Sequence, residues 1–220
     1  MNGGNVAGAA ERAGYRLMEP IRFASSRNSG RVYCERDWHW KMPHMRDYDI
    51  WYATGGSGTI EINGVTYPVE GGTCFLFRPG DSIVAGHDPE NRLNVLYVHF
   101  TCTDRENRSA DPIAGWPWRI VVDDAIWLEQ LLARLIALDD EPRSGGVEAE
   151  FDALVRAALL ALARESTPRG REGRMPAAVR KVIRSIREHA SAPPSHAELA
   201  RVAGLSERYL NALFKRHTGM

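Results

Sequence analysis

The sequence predicts an α+β protein: an N-terminal barrel or sandwich of short strands, then an antiparallel two-helix hairpin, then a small all-α segment. Three observations predict it. Up to Asp123, short apolar runs are separated by Gly and Pro turns. From there to Arg164, apolar residues recur every three to four positions. Past Pro176, helix-capping and turn residues follow one another at short intervals.

Composition bounds the class. Hydrophobic residues make up 44% and charged residues 25%, the balance of a globular chain. No apolar run approaches the roughly 18 residues a membrane span needs, so no membrane partner is expected. Residues 1–20 read as a flexible N-terminal arm without the basic flank and apolar core of a secretion signal. Cys34, Cys74 and Cys102 are widely spaced and odd in number, which disfavours a disulfide framework and fits a cytoplasmic location. The net charge is zero but unevenly placed. Residues 166–220 hold 11 Lys/Arg against 4 Asp/Glu, and the remainder carries the compensating negative excess. A basic tail on an acidic body suggests that only the tail meets a polyanion, although a solvated helical surface has the same composition.

The strands are expected within 21–122. Tyr48-Asp-Ile-Trp-Tyr-Ala53 is one, and Thr59-Ile-Glu-Ile62 alternates at period two. Asn63-Gly64 is a two-residue hairpin signal, with Val65–Val69 on its far side. Gly71-Gly72 leads into Thr73–Phe77, Arg78-Pro-Gly-Asp81 turns the chain again, and Leu93–Phe100 forms another strand. The hairpin occupies 123–165. Asp124 is placed to cap a helix reaching Leu138, with Trp127, Leu128, Leu131, Leu135 and Leu138 on one stripe. A second helix from Val147 to Arg164 carries Phe151, Leu154, Val155, Ala158 and Leu162. Periodicity leaves two uses for the first stripe open, packing on the barrel or pairing with a second copy. Residues 166–176 form a linker.

Residues 177–220 carry the functional signal. A helix with Val179, Val182, Ile183 and Ile186 inward is ended by Pro193-Pro194. Ser195-His-Ala-Glu198 is a capping box, Ala203-Gly-Leu205 a tight turn, and Ser206 the cap of a helix to His217. A helix-turn-helix needs small contacts, a Gly turn and a second helix whose outer face enters the major groove. Arg208, Asn211, Ala212 and Lys215 share that outer face. Arg suits guanine and Asn suits adenine. Lys215 and Arg216 suit phosphates, and Ser206 with the first amides suits a phosphate at the helix start.

Residues 195–219, with S-x-x-E-L-A, S-x-x-Y-L-x-x-x-F-K and a closing T-G, resemble the first helix-turn-helix of AraC/XylS-type (arabinose-operon) regulators. Y-D-I-W-Y-A-T-G-G-S-G, V-E-G-G-T-C-F-L-F-R-P-G-D and Y-V-H-F are similar to that family's cupin-type sensing barrel. The resemblance implies a cupin-like barrel binding a small effector, a dimerising hairpin and a C-terminal domain on promoter DNA, with RNA polymerase as a further partner of an activator. It also implies a second helix-turn-helix, which does not follow within these 220 residues. A shortened form presents one reading helix, so an effector-binding and dimerisation module with weak DNA contact is an alternative reading.

For the effector, Trp38-His-Trp-Lys41 stands before the first confident strand and would close the pocket mouth. Lys41 suits an anionic or polyhydroxylated effector, and Tyr52 and Tyr97 are candidate walls beside Phe75 and Phe77, which read first as core. By the resemblance Tyr97 takes a ligand-facing position, and core and wall both remain open for it. The other alternative is a metal-dependent cupin enzyme, which needs about three converging His/Glu ligands. Ile83 stands where one such His would be, the strand from Tyr48 has none, and His39, His44, His87 and His99 are scattered, His99 without an evident carboxylate neighbour. No metal, cofactor or catalytic residue is therefore expected.

Overall fold

The computed structural model describes residues 17, 19–122, 125–166, 176–189 and 191–218. They fall into two compact units, divided after Glu172.

In the first unit, nine strands form among the described residues: β1 (Arg22–Tyr33), β2 (His39–Met42), β3 (Tyr48–Gly55), β4 (Ser57–Ile62), β5 (Val65–Glu70), β6 (Thr73–Phe77), β7 (Ile83–His87), β8 (Asn94–Thr103) and β9 (Arg119–Val121). They make two antiparallel sheets, ordered β1-β8-β3-β6-β9 and β2-β7-β4-β5. Two helices follow, α1 (Ala125–Asp140) and α2 (Gly145–Ser166).

The five-stranded sheet is buried on both faces, and alternation sorts its side chains. Tyr48, Ile50, Tyr52, Cys74, Leu76, Leu96, Val98 and Phe100 face α1 and α2. Trp51, Ala53, Phe75, Phe77 and Val95 face the smaller sheet, where they meet Ile60, Ile62, Val69, Ile83 and Ala85. Because both faces are covered, β3 and β6 read as nearly continuous apolar runs rather than alternating ones. The β4–β5 turn has Asn63 and Gly64 both at positive φ (51° and 82°), the conformation a two-residue hairpin demands. The Arg78–Asp81 turn is held by the buried Asp81 carboxylate. It accepts from the Arg78 amide (2.9 Å), Asn63 Nδ2 (2.7 Å) and Trp118 Nε1 (3.0 Å).

The helical hairpin packs on the sheet through Leu128, Leu132, Leu135 and Leu138 of α1 and Phe151, Val155, Leu159 and Leu162 of α2. Each buried leucine contributes about 1.5–3 kcal/mol. Polar clamps fix the hairpin to β1. The Phe23 amide donates to Asp152 Oδ1 (2.6 Å), Arg156 donates to the carbonyls of Leu17 and Ile21, and Ser25 Oγ donates to Asp139.

Several expectations change here. The sequence reading missed β1, β2, β7 and β9. Leu17 is fully buried, so the expected arm of 1–20 ends before it. Asp124, the expected cap, and most of the 166–176 linker lie outside the described residues. The dimerisation stripe also fails as drawn. Leu128, Leu135 and Leu138 are at most 1% exposed inside the chain's own core, Leu131 is half-buried, and only Trp127 keeps 36% exposure. A residue already packed against the sheet is not available to a second copy, and Leu132 takes the inward position expected of Leu131.

The second unit contains α3 (Ala177–Glu188), α4 (His196–Ala203) and α5 (Glu207–Thr218). Val182, Leu199, Ala200 and Leu210 form its core, with Ala203, Leu205 and Phe214 against it. α3 ends at Glu188 rather than running on to Pro193. His189 leaves helical geometry (φ −117°, ψ 36°) while its amide still reaches the Ser185 carbonyl.

Candidate functional site

Two surfaces were predicted to carry function, the outer face of the last helix and the barrel interior.

The helix-turn-helix geometry forms as its residues require. Ser195 Oγ accepts from the Glu198 amide (3.3 Å), and the Glu198 carboxylate accepts from the Ser195 amide (2.8 Å). This reciprocal box satisfies two amides that the start of α4 would leave bare. Gly204 ends α4 in the left-handed region (φ 66°), which a side chain disfavours. Ser206 Oγ then accepts from the Tyr209 amide (3.3 Å) and starts α5. Leu210 turns inward, 4% exposed, with Leu213 and Phe214 partly buried. Ser206, Arg208, Asn211, Ala212 and Lys215 are all exposed, so the outer face of α5 is free of core duty. The Arg216 side chain lies outside the described residues. Tyr209, 57% exposed, joins this surface, and the sequence reading had not assigned it.

The barrel interior departs further from expectation. Phe75 and Phe77 are core, as first read, and stack at 6.1 Å. Trp40 packs edge-on against Phe77 (5.7 Å) and Trp51 against Phe75 (5.9 Å). Two of the four expected pocket residues sit on this side: Trp38 and Tyr97 are partly buried against the inner cluster. The other two do not. Lys41 is exposed, because in β2 Trp40 and Met42 take the inward positions and Lys41 alternates outward. Tyr52 is 1% exposed on the helical side, where its hydroxyl donates to Glu129 (3.3 Å). Ile83, where a metal-binding His would stand, is apolar core at 1% exposure. Among the described residues no group of three His, Cys, Asp or Glu is arranged to hold a metal ion.

The polar groups of this side gather instead around His99, which does have carboxylate neighbours. β8 pairs His99 directly opposite Asp49 of β3. His99 Nδ1 lies 2.8 Å from Asp47 Oδ1, and Nε2 lies 3.4 Å from Asp49 Oδ2. Asp49 Oδ1 accepts from the Val98 amide (3.2 Å). The partner strand β1 bulges here, since Ser25 pairs with Phe100 and Ser29 with Val98, which leaves three residues opposite His99 alone. Arg27, inside the bulge, takes a positive φ of 57°. The Ser29 hydroxyl and Asp49 Oδ2 are buried without a hydrogen-bond partner.

This environment separates the two carboxyl groups. Burial drives the Asp49 pKa up to about 6 despite the nearby His99 charge and the Val98 amide. Burial also works against the Asp47 carboxylate, but the hydrogen bond and charge of the His99 ring outweigh it and hold Asp47 below the usual range. Burial pulls the His99 pKa down, while Asp47, Asp49 and Asp139 together raise it above its ordinary value. The surrounding acids therefore favour the imidazolium form of His99. The signal in the sequence was Asp49 inside an apolar strand, Tyr48-Asp-Ile-Trp-Tyr52.

Beyond the barrel, an open cleft of about 400 Å³ lies between the start of α1 and the end of α2, walled by Val122, Trp127, Leu128 and Leu162.

A family model described as the AraC-like ligand binding domain matches residues 30–179. The sequence matches none of the curated proteins with which it was compared. Among solved structures, ToxT from Vibrio cholerae is similar at 9% identity over 92% of this chain and 77% of that one, with a TM-score of 0.36. The AraC-like transcriptional activator CuxR is similar at 12% identity, over 80% of this chain and 63% of that one, at 0.32. The cupin domain of Cnp3 from Schizosaccharomyces pombe is similar at 15% identity, over 37% and 64%, at 0.31.

Proposed function

The chain belongs to the family of AraC-like ligand-binding domains, and from that premise we propose that it is a ligand-responsive, sequence-specific DNA-binding transcriptional regulator. The observation that carries the DNA reading is the outer face of α5. Arg208, Asn211 and Lys215 follow one another at three- to four-residue spacing and are exposed, behind a capped α4 and a left-handed glycine turn. That is the arrangement by which a helix offers base-reading and phosphate-binding side chains to a major groove.

The test is fluorescence anisotropy with DNA from upstream of the protein's own gene, against scrambled DNA, across a salt series. Arg208→Ala is expected to cost about 1–3 kcal/mol and relax specificity at one base position, whereas Lys215→Ala weakens binding evenly and lowers the salt slope by about 1. Equal affinity for promoter and scrambled DNA overturns the reading. That outcome favours an effector-binding and dimerisation module without effective DNA binding.

The effector reading rests on the family and on the inner side of the barrel, with Trp38 and Tyr97 as the aromatic groups and His99 with its acids as the polar ones. For homodimerisation α1 offers the residues that stay outside the core, Ile126 (55% exposed) and Trp127, rather than the leucine stripe. A cytoplasmic location suits the three unpaired cysteines. No helix of the described residues is long and apolar enough to cross a membrane.

A further inference from the structure

The buried His99 cluster and the seat of the helical hairpin share one structural part, the β1 bulge. On its barrel side the bulge lies opposite His99, and the Ser26 hydroxyl within it is buried without a hydrogen-bond partner. On its helical side it grips the end of α1. Ser25 Oγ donates to the Asp139 carboxylate, and Arg27 donates to the carbonyls of Asp139 and Glu141, the latter at 2.8 Å. The Arg27 amide in turn donates to Ser25 Oγ (2.8 Å), so the clasp closes on itself.

We propose that protonated His99 is the keystone of a proton-sensitive latch, holding the end of α1 on the β1 bulge and releasing it when the imidazole loses its proton.

Among the described residues, the titratable or charged groups around the imidazole lie on three elements and the segment before β3. Asp47 precedes β3, Asp49 belongs to β3, Asp139 ends α1, and Arg27 lies in the bulge with its guanidinium turned to the α1 carbonyls. Tyr97 contacts the ring edge-on at 5.9 Å. When protonated, His99 is the cation that Asp47, Asp49 and Asp139 share. Both ring nitrogens face carboxylate oxygens, Nδ1 within hydrogen-bond distance of Asp47 and Nε2 within ion-pair distance of Asp49, which favours the imidazolium over the neutral ring. Deprotonation leaves three acids around a neutral ring that keeps a single N–H.

The three acids are not equally free to respond. Asp49 is fixed inside a strand at 1% exposure, and Asp47 is tied by its hydrogen bond to His99. Asp139 sits at a helix end and is held mainly by the bulge, and its Oδ2 has no hydrogen-bond partner. Repulsion is therefore relieved at the Asp139 clasp. A helix end is also the place where local opening costs least.

The inference goes beyond the regulator reading. It needs neither DNA nor effector, so its failure leaves that reading untouched.

The experiment is hydrogen exchange of the full chain at pH 6 and pH 8, corrected for the intrinsic pH dependence of exchange. In the wild type, the amides of 25–29 and 138–141 are expected to lose about tenfold in protection at pH 8, the change that one pKa unit of coupling produces. The amides of β3 and β6 are expected to hold. His99→Gln, which cannot take the proton, should exchange equally at both pH values. Asp49→Asn gives a second reading that does not depend on the folding of the first. With one acid removed, it should keep most of its pH 6 protection at pH 8. Unchanged protection in the wild type, a loss spread evenly over β3 and β6, or an equal loss in both variants overturns the latch.

Discussion

Replacing Asp49 by Asn should stabilise the first unit at neutral pH, and by an amount that depends on pH in a defined direction. The Asp49 carboxyl is 1% exposed, and its pKa is pushed from 3.8 up to about 6, chiefly by burial. A carboxyl whose folded pKa exceeds its unfolded value favours the neutral form in the fold. The resulting penalty is absent below the unfolded value, grows as pH rises from about 4 to about 6, and is complete above that. A shift of about two units corresponds to about 3 kcal/mol. Asparagine escapes the penalty at every pH, and its carbonyl oxygen can still accept from the Val98 amide, as Asp49 Oδ1 does. All six tryptophans (38, 40, 51, 116, 118 and 127) precede the second unit, so their fluorescence during urea unfolding reports the first unit alone. The two proteins should unfold at similar urea concentrations at pH 4.5, with the variant about 2–3 kcal/mol more stable at pH 7.5. Working above pH 4 avoids Asp47, whose lowered pKa makes its own contribution disappear only in stronger acid. A variant less stable than the wild type at pH 7.5, or a difference that does not change with pH, would refute the reasoning.

Other expectations follow from packing and capping. Gly58→Ala places a Cβ 2.3 Å from the Gly86 carbonyl oxygen and 2.9 Å from His87 Cα, so β4 and β7 must part; a loss of about 1–3 kcal/mol is expected in thermal melts. Phe77→Ala removes a fully buried ring that contacts Trp40, Trp51 and Phe75, and should cost about 3–5 kcal/mol in urea unfolding. Ser195→Ala breaks the capping box and should cost about 0.5–2 kcal/mol, read as faster amide exchange in α4 with β3 unchanged.

What could be read in the sequence was what local chemistry decides. The Asn63-Gly64 hairpin, the Ser195–Glu198 box and the Gly204 turn each depend on a few neighbouring residues, and each forms as expected. Alternation decided less. In β3 both faces are apolar, so the run from Tyr48 to Ala53 does not reveal which of Trp51 and Tyr52 faces the barrel; the structure sends Trp51 inward and Tyr52 to the helices. One step of parity likewise turns Lys41 out and Trp40 in. β1 escaped because Ser25-Ser-Arg-Asn-Ser-Gly-Arg31 has neither apolar residues nor alternation. It is an edge strand interrupted by a bulge, defined by its pairing with β8. The His99 cluster depends on the same long-range register. Asp49 and His99 are fifty positions apart and meet only because β3 and β8 pair in that frame.

The three cysteines bear on how this protein can be studied. Cys34, Cys74 and Cys102 are unpaired and at most 3% exposed, and burial raises all three thiols, Cys34 to about 11 and Cys102 to about 12. Thiolate is the form that reacts with maleimides and oxidants, so the folded chain should present almost none of it at neutral pH. A single cysteine introduced at an exposed position of α5, such as Asn211, would then be the one site that takes a fluorophore or spin label. The native sequence is in effect already cysteine-free for that purpose, and none of its buried thiols has to be removed from the core first.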